Sequence, residues 1–151
     1  MSTQQFQGAV EMNDSVDIKG TLREYREGTR TLTGTVALGS GDSGKALFVD
    51  SSADAAGVTV TLPAPAAGLV YKFWVADSTN ESTIVTASSE NIMAGSIRAA
   101  TNASSDADGD TITITTGAVI GDHVQLSCDG TNWYVAGWCQ VNGGITLTKA
   151  T

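Results

Sequence analysis

Three groups of residues in this 151-residue chain are of types that could do chemistry. His123, Cys128 and Cys139 lie within "HVQLSCDGTNWYVAGWCQV", and such side chains ligate zinc or pair as nucleophile and base. In "DADGD", Asp106, Asp108 and Asp110 alternate as oxygen ligands do in a calcium loop. "GSGDSGKA", Gly39 to Ala46, has the glycine and lysine spacing of a loop that cradles phosphate.

Each group fails its own requirement. The phosphate loop has Ala46 where a hydroxyl should ligate magnesium, and "ALFVD" follows, a strand-like run with no helix N-terminus to meet the anion. The calcium loop of a helix-loop-helix site wants Gly sixth and Glu twelfth, whereas Thr111 and Gly117 stand there. A solvated acidic turn before "TITIT" is the plainer reading, with an adventitious calcium site as its alternative. His123 and Cys128 sit on opposite faces of a strand, roughly 17 Å apart at the usual rise per residue. Two cysteines and one histidine are too few for structural zinc without a further ligand. The sequence therefore predicts no catalytic residue, no cofactor and no metal, and a chain that is not an enzyme.

The elements that carry these residues read as strands. Apolar residues alternate with polar ones in "TLTGTVALG", "ALFVD", "VTVTLP", "LVYKFWVA", "STIVTA", "DTITITT", "HVQLSC", "WYVAGWCQV" and "GITLT", and Gly, Asp, Asn and Ser clusters separate them. No window shows a helical stripe. Nine or ten strands predict an all-β fold, a single β-sandwich or jelly-roll-like body over residues 31–151 with an extended N-terminal arm over residues 1–30. "SSENIMAGSIRAATNASSDADGD" reads as a long connection holding at most one short strand.

"HVQLSCDGTNWYV" predicts a hairpin turning at "DGTN", with Cys128 opposite Trp133. Val124, Leu126, Cys128, Trp133, Val135, Gly137 and Cys139 then share one face. In that register the two sulfurs are about 20 Å apart, far beyond disulfide reach, so both thiols should be free and behave as small core hydrophobes. The other face carries Tyr134 and Trp138 among polar residues, and Trp74 shares a face with Lys72 in "LVYKFWVA". Aromatics on the polar face of a strand are the pattern of a subunit or partner contact; a second internal layer is the alternative.

A net charge of −8 and a pI near 4.3 oppose nucleic-acid binding, which needs clustered Lys and Arg. The acidity lies in the body, and residues 1–31 are nearly neutral. The start of the chain reads as no secretory signal, and no run approaches the ~18 apolar residues of a membrane span. Synthesis in a cytoplasm with reduced thiols, and no membrane partner, are expected. The sequons at Asn13, Asn80 and Asn102 carry no weight outside a secretory pathway.

The ordered pieces "DSGKALFVD", "GVTVTLPAPAAGLVYKFWV", "ENIMAGSI", "GDTITI" and "AVIGDHVQLSCDGTNWYVAGW" resemble a recurrent group of small bacteriophage structural proteins, the head decoration or cement proteins, which are also met in virion fibres. The resemblance covers roughly Gly41 to Trp138, and "TLPAPAAGL" followed by "SCDGTNWYV" is its most specific part. It implies a β-rich module with no catalytic residues, carried on the outer capsid surface of a virion assembled in the host cytoplasm. Its expected partners are the major capsid protein and copies of itself, as a trimer or dimer, with the shell stabilised by bridging capsid subunits. The alternative is a head- or tail-fibre module in which Trp74, Tyr134 or Trp138 stacks on a host-surface glycan. The arm falls outside the resemblance. Its alternating Val16, Ile18 and Leu22 suit strand addition to a neighbour's edge, and Arg23, Arg26 and Arg30 suit an acidic capsid surface.

Overall fold

The computed structural model describes residues 27–87 and 91–149. Those residues form an all-β sandwich of twelve strands: β1 (Thr29–Leu32), β2 (Val36–Ala37), β3 (Ala46–Asp50), β4 (Thr59–Thr61), β5 (Val70–Asp77), β6 (Ser82–Val85), β7 (Met93–Arg98), β8 (Ala103–Gly109), β9 (Thr111–Ile114), β10 (His123–Cys128), β11 (Trp133–Trp138) and β12 (Ile145–Thr148). A seven-stranded sheet in the order β1-β3-β5-β10-β11-β7-β8 packs on a five-stranded sheet in the order β12-β9-β6-β4-β2.

From β1 to β7 the chain changes sheet at every strand. It thereby winds as a coil: β1, β3 and β5 stack in parallel in one sheet, and β2, β4 and β6 in the other. Val36, Val60 and Ile84 lie one above the next and are evenly spaced in the sequence. The corners of successive coils are fastened by polar side chains. Buried Ser51 donates its hydroxyl to the Asp77 carbonyl and accepts from the Asn80 N–H, while Asn80 Nδ2 donates to the Ser51 carbonyl at 2.9 Å.

The sandwich agrees with the sequence reading, but five of the ten strand pairings are parallel, unlike the antiparallel ladders of a jelly roll. β1 opens at Thr29, two residues before the expected start of the body at residue 31. The segment read as a long connection holds β7 and β8, which pair as an antiparallel hairpin; Asp106 and Asp108 therefore sit on a strand, not in a turn. Val16, Ile18, Leu22, Arg23 and Arg26 lie outside the described residues.

One continuous core fills the space between the sheets, with Trp133, Tyr71, Phe73 and Leu47 from one side and Ile84, Ile112, Ile114 and Ile145 from the other, each essentially without solvent contact. The indole of Trp133 lies 5.7 Å from the Tyr71 ring. Along β5, β10 and β11 burial alternates residue by residue, which leaves every second side chain on an outer face.

Candidate functional site

The residues first suspected of chemistry are taken up by structure. In the glycine loop, residues Ser40–Asp42 form one 3-10 turn and β3 follows at Ala46. The Asp42 carboxylate takes the loop's lysine, Lys45, at 3.1 Å, and also Arg30 at 2.8 Å. Arg30, read as a charge for the capsid, thus finds its carboxylate inside the molecule. Burial pushes the Asp42 carboxyl up, but Lys45, the Gly39 N–H and Arg30 outweigh it and hold the group below its ordinary 3.8. A carboxyl lowered on folding stabilises above its unfolded pKa and loses that contribution as pH falls through the folded one. Thermal melts of Asp42→Asn should accordingly show a smaller loss of stability on acidification below 3.8 than the parent chain.

Asp106 accepts the N–H groups of Ala107 and Asp108, Asp108 binds Lys149, and buried Asp110 accepts from the Thr111 hydroxyl. No cluster of three or more His, Cys, Asp or Glu is placed to hold a metal ion among the described residues. Cys128 and Cys139 are buried and free, and Cys128 pairs with Trp133 in the predicted register. His123 points to the opposite face from Cys128.

What remains is the outer face of the seven-stranded sheet. Strand register sets Phe48 beside Trp74, Trp74 beside His123, His123 beside Trp138 and Trp138 beside Arg98, so one row crosses five strands at right angles to the chain. Trp74 and Trp138 are 37% and 43% exposed, which excludes a second internal layer over them. The His123 ring packs on Trp74 with centroids 4.7 Å apart and an interplanar angle of 35°. Neighbouring strands are about 4.8 Å apart, so the two indoles stand about 10 Å from each other with the imidazole between.

Tyr134 shares this face but not this row. It lies four residues from Trp138 along β11, about 13 Å away, and its hydroxyl donates to Asp129 at 3.0 Å. That carboxylate is held low by the Asn132 and Thr131 N–H groups and by Tyr134, and the same bond raises the Tyr134 phenol above its ordinary value. Sequence reading singled out the three exposed aromatics but missed Phe48 and Arg98. The hairpin register alone already set His123 opposite Trp138; joining Trp74 and Arg98 to them needed the pairing of β10 with β5 and of β11 with β7.

The outer face of the five-stranded sheet is of another kind. Thr59, Thr83, Thr113 and Thr146 form one cross-strand row, and Ala37, Thr61, Val85, Thr111 and Thr148 the next. Both rows are free of charge on a protein of net charge −8. No family model matches the chain, and no curated protein or solved structure does either.

Proposed function

We propose that this chain is a non-enzymatic decoration protein of a bacteriophage head, seated on the outer capsid surface, where it bridges subunits of the major capsid protein. The observation that carries the reading is the uncharged threonine face. Interfaces deplete charge at their centre, and a regular sheet presenting short β-branched side chains offers a flat, stiff surface that loses little conformational freedom on docking. The acidic residues elsewhere keep the molecule from collecting on nucleic acid. Copies would meet edge to edge around local symmetry axes, where β1 is the terminal strand of its sheet among the described residues and an exposed edge invites pairing. The sequence resemblance supports the same assignment.

Co-sedimentation with capsids tests it. Thr83 and Thr113 are paired neighbours at the middle of the face, so Thr83→Glu with Thr113→Glu should weaken capsid binding at least about a hundredfold, the scale of two unpaired charges forced into an interface. Two glutamates directly opposite on one sheet face repel each other, so the double variant should melt somewhat below the parent, and binding is compared at a temperature at which thermal melts show both chains folded. Undiminished binding by the double variant would overturn this seat.

A further inference from the structure

We infer that the row Trp74, His123, Trp138 and Arg98 on the outer face of the seven-stranded sheet is a binding site for an extended, β-linked glycan that carries carboxylates. This does not depend on the capsid reading, which uses the opposite sheet.

The shape of the row argues for a sugar chain. Its flanking row on the same face is Lys72, Gln125, Ala136 and Ser96, polar or small throughout, so the apolar stripe is one side chain wide. A stable protein contact needs on the order of 800 Å² per partner around an apolar centre, more than one file of side chains presents. A sugar chain is itself one ring wide. The two indoles stand two strand spacings apart, close to the length of a β-linked disaccharide, so both can lie under alternate sugars with His123 below the ring between them. Aromatic faces take the C–H faces of sugars, while polar neighbours meet the hydroxyls. Packing against His123 fixes the Trp74 indole before ligand arrives, which reduces the ordering cost of binding.

Charge names the class of sugar. Lys72 is already paired with Glu27 at 2.7 Å. Arg98 is exposed and makes no ion pair among the described residues. It stands one strand beyond Trp138, where its planar guanidinium can take the carboxylate of the next sugar with two parallel hydrogen bonds.

Two probes test the site by titration calorimetry on the full chain: an octasaccharide of alternating β-linked glucuronate and N-acetylglucosamine, and neutral chitohexaose. The acidic chain should bind more tightly, and its affinity should fall with added salt. Trp74→Ala and Trp138→Ala should each weaken it about tenfold or more, the scale of losing one stacked ring. Arg98→Gln should weaken the acidic chain about tenfold, as expected for a lost charged hydrogen bond, and leave chitohexaose unchanged. All three side chains are exposed, so the variants should melt with the parent. Equal binding of both probes would overturn the assignment of Arg98. Failure of both probes to bind, or undiminished binding by the tryptophan variants, would overturn the site. Light scattering completes the test: a parent oligomer that dissociates when either tryptophan is replaced would make the row a subunit contact instead.

Discussion

Trp133→Ala is expected to cost about 3–5 kcal/mol, the range for deleting a large aromatic from a packed core, and to lower the melting temperature by roughly 6–20 °C for a chain of this size. Trp133 is wholly buried, faces the Tyr71 ring at 5.7 Å, and lies between Cys128 on β10 and Met93 on β7. Truncation there opens a cavity at the centre of the seven-stranded sheet that neighbours held by strand pairing cannot collapse to fill. Its buried Nε1 has no hydrogen-bond partner among the described residues. Trp133→Phe should therefore lose packing only, with part of that loss offset because an unpaired N–H no longer has to be buried. Urea midpoints should rank the chain above Trp133→Phe and that above Trp133→Ala, with Trp138→Ala within about 0.5 kcal/mol of the parent, as for an ordinary surface position. A Trp133→Ala midpoint equal to that of Trp138→Ala would contradict the register of β10 and β11.

Gly57→Ala should be comparably damaging for a different reason. Gly57 has φ +75, and a Cβ there would stand 1.8 Å from the Glu81 carbonyl oxygen, a backbone atom that cannot swing aside. The contact occurs where β4 is brought against β6: Val58 N–H donates to the Ser82 hydroxyl at 3.0 Å and its carbonyl accepts from Thr83 N–H at 2.8 Å. Relief requires parting the two strands, so the coil loses the rung that Thr59, Val60 and Thr61 form with Thr83, Ile84 and Val85. A loss above about 3 kcal/mol is expected, more than left-handed backbone alone would cost. Gly44→Ala supplies the comparison, since φ is +80 there but nothing among the described residues lies within 4 Å of the added carbon; about 1–2 kcal/mol should cover it. Equal effects of the two substitutions in thermal melts would mean that the β4 and β6 corner is not packed this closely.

Strands were legible in the sequence wherever one face is core and the other solvent. β5, β10 and β11 alternate in burial just as Tyr71, Phe73 and Val75, or Val124 and Leu126, alternate with polar residues. The hairpin at Asp129 to Asn132 was legible too, because a short turn fixes register and register fixes faces. β7 and β8 were not. β7 puts Gly95 at an inward position, under the Val135 backbone, and β8 reads "ASSDADG" with little buried along it, so neither offers the apolar alternation by which strands are recognised. β8 is held by pairing with β7 and by Ser104, whose side chain accepts from the Leu147 N–H of β12 at 2.9 Å. The coiled winding was hidden for a further reason. Alternation tells which way a side chain points but not which strand lies beside it, and the aromatic row exists only once β5, β10, β11 and β7 are set side by side. The threonines were in plain view as strand residues; that they form one uncharged face depends on the same long-range pairing.

If the chain decorates a phage head, as proposed, a cryo-electron microscopy map of that virion tests the assignment most directly. Density for this sandwich is expected at hundreds of equivalent positions on the outer head surface, with Thr83 and Thr113 against the major capsid protein and the Trp74, His123 and Trp138 row facing away from the shell. A map that places the chain only in a fibre at a dozen copies or fewer, or that turns the threonine face to solvent, would contradict it.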